Sequence, residues 1–361
     1  MKILFVGNSG NKFGGPSSVM NNLKKNLEMN YNDEVKILDI EEIKKKFFSK
    51  IICKDIDKDF INCNIINFHE LWNPLVILLA KRAEKLGIPF FFTFHGVLNR
   101  WSLKQNSFIK KLFLNIFYKK IFQKSAGFQF LTEEEYHEAS DIYPNFSLKS
   151  FILQNGIDIY ETKNQKLFVE EEKLKLLFLG RKHPKKGLNS LIEAFKLIKK
   201  NKKKISLQII GPKSKYGDEI EKKIKDLNLE NEISISGPIY DPAEKIILYD
   251  KFDFFILPSQ DEADSVALKE SLVFGLPLII TKSCKFHDVE KNNIGYWIDH
   301  DPVKIYDRLI ALDLDLELRK KMSMNCKIYA KEFFDISKVG NFYRKNIEDI
   351  VFGVRYSNNW Y

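Results

Sequence analysis

Short apolar runs alternate with longer amphipathic segments along most of the chain. This alternation is typical of parallel β-strands joined by helices that cover both faces of the sheet. The apolar runs predict strands over residues 2–6, 34–38, 64–68, 89–93, 127–131, 150–153, 175–179, 205–210, 233–236, 254–257 and 278–281.

The amphipathic segments between these runs predict helices. Gly275 and Pro277 are suitable stop signals for the helix that precedes the last predicted strand. The predicted helices cover residues 17–28, 74–86, 104–124, 133–140, 189–200, 218–227, 244–249, 266–274 and most of the tail at 315–351.

The polar segment over residues 158–173 lacks a clear period and is interpreted as an interdomain linker. The predicted fold is therefore α/β, with two Rossmann-like, doubly wound parallel-sheet domains that face each other across a cleft. The first domain is expected over 1–160 and the second over 174–335, with a C-terminal helix at about 338–361 packing back on the first domain. Ligands of such sheets bind beyond the carboxyl ends of the strands.

Composition argues against several classes of protein but does not identify the function. The chain has 361 residues, a formal net charge of +10 and 4 Cys, none of them in a C-x-x-C pair, which argues against structural zinc and a disulfide framework. No apolar run reaches the roughly 20 residues that a membrane-spanning helix needs. The start MKILFVGNSG predicts a first β-strand rather than a signal peptide, so a cytoplasmic protein is expected.

Two stretches of the second half carry candidate chemistry. In GRKHPKKGLNS, Arg181 and Lys186 lie in a loop before a helix, where cations and backbone N–H groups suit a diphosphate; a solvated basic loop is the alternative. In EADSVALKE, Glu262 is expected in a loop and Glu270 two turns into a helix. Carboxylates so placed suit recognition of sugar hydroxyls better than glycoside hydrolysis; two ordinary surface acids near Lys269 are the alternative.

Two further candidates lie in the first half. Gly14 and Gly15 precede a helix after the first strand, and His95 follows the strand over 89–93. The glycine-rich loop matches neither the dinucleotide fingerprint nor the Walker motif. A single histidine at a strand end is more often structural than catalytic.

Together these segments resemble the retaining GT-B glycosyltransferases of family GT4. The resemblance rests on LFLGRKHPKKGLNSLIEAF, LQIIGP and the stretch from ISGPIYDP to FGLPLII, and in the first half on GGPSSVMNNL, IINFHELW, FTFHGVLNRWSLKQ and LQNGID. The segment HGVLNRWSLKQ is similar to a bacterial surface-polysaccharide branch. The resemblance implies transfer of a sugar from a nucleotide-sugar, a UDP-sugar by expectation, to a glycan or lipid-linked oligosaccharide of capsule, O-antigen or lipopolysaccharide.

The resemblance also implies roles for individual residues. It implies that Arg181 and Lys186 grip the donor diphosphate, that Glu262 contacts the transferred sugar, and that Glu270 binds the ribose. His95 would reach the donor sugar, and Gly14 and Gly15 would lie near the diphosphate. No metal or other cofactor is expected, since cations replace the metal in this family. The leaving phosphate would accept the acceptor's proton during attack on the same face of the sugar.

One departure from the family pattern concerns the donor site. Ala263, Asp264 and Ser265 stand where the family usually has x-Phe-Gly, so Asp264 is expected either to meet a sugar hydroxyl or to cap the next helix, a role that Ser265 could also take. Glu70 stands where the family commonly has glycine. The neighbouring His69 is therefore not assigned to the acceptor side.

The segment from Arg100 to Thr132 contains no Asp or Glu, and its lysines are interleaved with aromatic residues. Such a helix can lie on an anionic membrane, and a helix packing its Phe face into the core is the alternative. The stretch KKKFF over 44–48 is a second candidate contact. Competing functions are a GT-B epimerase or hydrolase, a sugar-nucleotide binder without activity, and a basic nucleic-acid-binding protein, although no nucleic-acid module is recognised.

Overall fold

The computed structural model describes residues 1–9, 15–46, 58–104, 107–144, 146, 149–160, 173–312 and 315–352. The chain divides into two compact units, Met1–Asp158 with Asp335–Tyr361, and Ile159–Phe334. Each unit is built on one parallel sheet of six strands with flanking helices, so the predicted α/β architecture of two doubly wound sheets is confirmed.

The first unit has the strand order β2-β1-β3-β4-β5-β6. Its central strands are apolar on both faces because helices cover both, as in other parallel sheets. The strands are β1 (Lys2–Gly7), β2 (Glu34–Asp39), β3 (Ile65–Phe68), β4 (Phe90–Thr93), β5 (Gly127–Phe130) and β6 (Ser150–Ile152).

The helices of the first unit include two that the sequence analysis did not predict, α4 (Arg100–Lys104), which lies before the predicted helix over 104–124, and α2 (Ile40–Lys46). Asp39 begins it, because one carboxylate oxygen accepts the N–H groups of Glu41 and Glu42 at 2.8 and 3.2 Å. The helices are α1 (Gly15–Tyr31), α2 (Ile40–Lys46), α3 (Pro74–Lys85), α4 (Arg100–Lys104), α5 (Ser107–Phe113), α6 (Lys119–Lys124) and α7 (Glu133–Ser140).

The single helix predicted over 104–124 was wrong in detail. α5 and α6 are joined by a π-helical turn, Leu114–Tyr118. The wider turn keeps Leu114 and Tyr118 buried together with Ile121 and Phe122, and the Tyr118 hydroxyl donates to the backbone oxygen of Leu71. Tertiary packing therefore sets the local helix geometry here.

The last helix of the chain, α14 (Ile336–Phe352), belongs to the first unit. It packs on α1, and its Tyr343 is buried against the sheet, where Asn67 Nδ2 donates to the tyrosine hydroxyl at 3.0 Å. The helix begins close to the predicted start, and residues 353–361 lie outside the described residues.

The second unit has the strand order β12-β11-β10-β7-β8-β9. The edge strand β12 was not predicted, because GYWI is short and only partly buried. The strands are β7 (Leu174–Leu179), β8 (Ile205–Ile210), β9 (Ile233–Ser236), β10 (Phe254–Leu257), β11 (Leu278–Thr281) and β12 (Gly295–Ile298).

The helices of the second unit follow the predicted alternation, with α12 as an addition. Asp301 begins α12 by accepting the N–H groups of Val303 and Lys304, and Pro302 occupies its first turn. The helices are α8 (Leu188–Lys200), α9 (Lys215–Asp226), α10 (Pro242–Asp250), α11 (Val266–Val273), α12 (Pro302–Ile310) and α13 (Leu316–Phe333). No helix within the described residues combines the length and apolarity that crossing a bilayer requires.

Candidate functional site

The basic loop after β7 is fixed by close contact with the end of β10. Gly187 has φ +72°, and a Cβ added there would lie 1.9 Å from the backbone oxygen of Pro258. A 3₁₀ turn, Pro184–Lys186, precedes this glycine, and His183 begins it by accepting the N–H of Lys185. The loop and the strand end therefore meet backbone to backbone, which only glycine permits.

Hydrogen bonds continue this contact along the segment after β10. The N–H of Gln260 donates to the backbone oxygen of Lys185 at 2.7 Å, and Ser259 Oγ lies 3.1 Å from the same oxygen. Ser259 Oγ also lies 2.5 Å from Glu262 Oε1. The backbone of Glu262 donates to Ser283 O at 3.0 Å, so the glutamate is fixed at both its main chain and its side chain.

Two ion pairs join the basic loop to this segment. Lys186 Nζ lies 2.7 Å from Glu262 Oε1, and Lys185 Nζ lies 2.9 Å from Asp261 Oδ2. Lys285 adds a third cation, 3.4 Å from Asp261 Oδ1. These side chains are all largely buried, so their charges interact in a medium of lower dielectric than water. Three cations against two carboxylates leave one positive charge.

Arg181 lies in the same loop, directly after Gly180, and its side chain is exposed. The loop is strongly cationic, as its effect on His183 shows. Burial lowers the pKa of His183, and the charges of Arg181, Lys185 and Lys186 lower it further. A positive field of this kind favours a bound anion.

Asp264 forms an ion pair inside the unit. Its Oδ1 lies 2.6 Å from Lys269 Nζ, and the exposed fractions of the two side chains are 7% and 2%. Burial lowers the pKa of Lys269, and its ammonium group lies 4.5 Å from the centre of the Phe334 ring. Ser265 occupies the position before α11 without a capping hydrogen bond from its side chain, so the cap expected of it was wrong.

Glu270 lies in the second turn of α11, as predicted, and is held by α10. Its Oε1 is 2.6 Å from Lys245 Nζ, and the Tyr249 hydroxyl lies 3.4 Å from its Oε2. Burial raises the pKa of Tyr249, and the neighbouring Glu270 carboxylate raises it further. Tyr249 stacks on Phe274, with 4.7 Å between ring centres. The acid is thus a fixed acceptor rather than a mobile surface charge.

In the first unit, His95 follows β4 in a left-handed backbone conformation, with φ 51°. Its Nε2 lies 2.9 Å from Nδ1 of His69, which follows β3. Burial lowers the pKa of His95 to about 4 and lowers that of His69 as well. Burial thus favours the neutral form of both rings, and in their contact one ring nitrogen donates a hydrogen bond to the other.

The remaining predicted positions are Gly14 and Gly15. Gly14 lies outside the described residues. Gly15 is the first residue of α1, and a Cβ added there would meet no atom within 4 Å. Over the described ranges, no group of three or more His, Cys, Asp or Glu side chains is arranged to hold a metal ion.

Several residues of this arrangement were missed in the sequence. Asp261 directly precedes Glu262 after a strand, which is a signal that could have been used. Lys245 and Lys285 come from separate loops and helices, and no local pattern marks them as partners of Glu270 and Asp261.

Residues 160–333 match the family model "Glycosyl transferases group 1". The matched segment covers almost the whole of the second unit. It contains all the predicted second-half residues, including the Lys186–Glu262 and Lys245–Glu270 pairs.

Curated proteins similar to parts of this chain include glycosyltransferases. The amylovoran biosynthesis glycosyltransferase AmsK of Erwinia amylovora is 32% identical over 135 residues, which are 35% of this chain and 32% of AmsK. The alpha-monoglucosyldiacylglycerol synthase of Streptococcus pneumoniae is 28% identical over 114 residues, 32% of this chain and 25% of that protein. The matched segments thus span a third or less of these two relatives.

Solved structures match nearly the whole chain. HepE of Anabaena, in complex with UDP and glucose, has a TM-score of 0.75 and 15% identity, covering 96% of this chain and 99% of HepE. The sucrose-phosphate synthase of Thermosynechococcus elongatus has a TM-score of 0.75 and 13% identity, covering 98% of this chain and 100% of that one. This likeness shows the fold, and the predicted GT-B class is confirmed.

Proposed function

We propose that this chain is a retaining glycosyltransferase that uses a nucleotide-sugar, a UDP-sugar in the first instance. The observation that carries the proposal is the buried Lys186–Glu262 pair at the carboxyl end of β10, inside a group 1 domain. A diphosphate needs cations and a sugar needs hydroxyl acceptors, and this pair offers both within one contact. HepE, with a similar fold, was crystallised with UDP-glucose.

The chemistry follows from where charge develops during transfer. Breaking the bond between the anomeric carbon and the diphosphate builds negative charge on the leaving oxygens, which Lys186, Arg181 and the N-terminus of α8 would stabilise. Glu262 would then exchange its bond to Lys186 for a sugar hydroxyl, and Glu270 would hold the ribose. We assign His95 to the donor sugar. These cations supply the charge for which other transferases use a metal, so we propose metal-independent transfer.

Nucleotide-sugar binding can be tested by thermal unfolding. UDP-glucose and other UDP-sugars are expected to raise the melting temperature, because a ligand at 100 times its Kd stabilises the folded state by about 2.7 kcal/mol. GDP- and ADP-sugars are the comparison, and EDTA should leave the shift unchanged. If no nucleotide-sugar shifts the melting temperature, the proposed donor class is wrong.

The acceptor that we propose is a glycan or lipid-linked oligosaccharide of a bacterial surface polysaccharide. AmsK, a relative over a third of the chain, is a glycosyltransferase of amylovoran biosynthesis. A lipid-linked acceptor would require contact with a membrane, and the first unit has a surface suited to one.

This surface, called the apolar ridge below, lies on α5 and the following π-helical turn. Its five apolar side chains have exposed fractions between 42% and 78%: Phe108, Ile109, Leu112, Ile116 and Phe117. The opposite face of the same segment buries Leu114 and Tyr118. A surface helix that is apolar on both faces buries one of them and exposes the other to solvent.

The charges beside the apolar ridge favour an anionic membrane. Lys104, Lys119 and Lys120 are exposed, and the whole segment from Arg100 to Thr132 contains no acidic residue. A second copy of the same surface would bring like charges together, whereas anionic lipid headgroups attract each lysine by about 1 kcal/mol. Of the second candidate, KKKFF, residues 47 and 48 lie outside the described residues.

Vesicle binding tests the apolar ridge directly. We expect the protein to co-sediment with vesicles containing phosphatidylglycerol and much less with pure phosphatidylcholine. Phe108→Ser with Ile116→Ser should reduce this binding at least about tenfold, since two large apolar groups leave the membrane. The matched control is Met324→Ser with Ile328→Ser on α13, where the side chains are 62% and 56% exposed. Equal loss in both double variants would contradict the assignment.

A further inference from the structure

The turn that carries His95 is held in an unusual backbone conformation. His95 has φ 51° and Gly96 has φ 78°, so two successive residues are left-handed. A non-glycine residue in this region is strained by about 1 kcal/mol or more and persists only when its surroundings hold it. The residues that hold this turn thereby determine where the His95 ring points.

The carboxylate of Glu135, on α7, holds this turn by accepting a backbone hydrogen bond. Its side chain is fully buried, one carboxylate oxygen accepts the N–H of Gly96, and the other accepts the N–H of Leu131 at 2.7 Å. The two N–H groups come from the segments after β4 and after β5. An ionised carboxylate accepts at both oxygens, whereas an amide side chain can accept at only one.

Two more acids hold the same segment: Glu138 on α7, on the same helix face as Glu135, and Asp141, which directly follows α7. Glu138 Oε2 accepts the N–H of Arg100 at 3.0 Å, and Asp141 pairs with the Arg100 guanidinium at 3.0 Å. Both of these contacts are exposed, unlike those of Glu135. On the other side of the turn, the His69 ring contacts the His95 ring at 2.9 Å.

We propose that Glu135 is a positioning residue, which holds the turn after β4 so that the His95 ring is aimed at the transferred sugar. The proposal rests on the proposed function for what His95 contacts, and on the hydrogen bonds above for how its turn is held. Glu135 itself contacts neither the donor nor the acceptor.

A double-mutant cycle tests this role. Glu135→Gln is expected to lower kcat about 10- to 100-fold, because a small misplacement of a reacting group has effects of this size. The KM for the donor should change less than about twofold, because the proposed donor-holding side chains belong to the other unit. In the His95→Ala background, Glu135→Gln should have almost no further effect on kcat. Equal losses in both backgrounds would overturn the proposal.

The control and a second measurement separate positioning from stability. Glu138→Gln, on the same face of α7 but with an exposed contact to Arg100, should retain kcat within about twofold. Amide exchange of Gly96 needs no turnover: strong protection in the unchanged protein should be lost in Glu135→Gln at a temperature where the variant is folded. If no nucleotide-sugar is turned over, the proposed function is wrong, and amide exchange alone then tests whether Glu135 holds the turn. Unchanged protection of Gly96 in Glu135→Gln would refute that role.

Discussion

Replacing Lys186 with alanine is expected to reduce sugar transfer by at least about 100-fold, the size of effect that follows loss of one preorganised group at a developing charge. Lys186 Nζ is the cation that contacts Glu262, and its side chain is only 14% exposed. Water would replace it poorly in such a site. Steady-state kinetics with the donor identified by thermal shift would measure the loss.

The stability of this variant must be separated from its activity. Removing one partner of a buried ion pair leaves the other charge uncompensated, which destabilises by about 3–5 kcal/mol. Adding Glu262→Gln should restore much of the stability and none of the activity. Lys222→Ala, at an exposed position on α9, is the matched control. Near-normal turnover in folded Lys186→Ala would remove Lys186 from the mechanism.

The second large effect is expected for Gly187→Ala. A side chain at this position would meet the backbone oxygen of Pro258 at 1.9 Å and would stand at φ +72°. Strain and steric overlap together should destabilise the second unit by roughly 2–4 kcal/mol. The loop must also move away from β10, which separates Lys185 and Lys186 from their carboxylate partners and abolishes donor binding.

A second glycine of the same unit provides the control. A Cβ at Gly237 would meet no atom within 4 Å, so Gly237→Ala should leave stability unchanged or raise it by about 0.4–1 kcal/mol. Urea unfolding with a probe in the second unit, together with the donor-induced thermal shift, measures both variants. A Gly187→Ala variant as stable as Gly237→Ala would show that the loop has no fixed contact with Pro258.

The sequence predicted the parts of the fold that depend on local pattern. Alternating apolar and amphipathic segments predicted all but one of the strands in the described residues, because buried parallel strands are continuous apolar runs. The strand β12 was missed because its middle residues are half-buried. For residues 107–118, a helical period predicts an apolar face but does not say which face meets the core. The structure buries Leu114 and Tyr118 and leaves Phe108 and Phe117 exposed.

The candidate site was predictable only in part, for a similar reason. Loop position and residue type pointed to Lys186, Glu262 and Glu270. Their ion pairs join residues that are far apart in the sequence, such as Lys245 and Glu270. The spacing of residues along the chain does not predict such pairs. Glu135 was missed because a glutamate in the first turn of a helix is usually explained by its favourable interaction with the helix dipole. Its burial against Gly96 is visible only in the structure.

The return of α14 to the first unit has a practical consequence for dissecting this protein. Residues Ile159–Phe334 interrupt the first unit, and the backbones on either side of the interruption are neighbours, since Ile336 N–H donates to Ile157 O at 3.0 Å. Truncating the gene after the second unit would therefore remove a helix from the first. Joining Asp158 to Asp335 with a short glycine-containing linker instead would excise one unit as a continuous polypeptide and leave the other with all of its own elements.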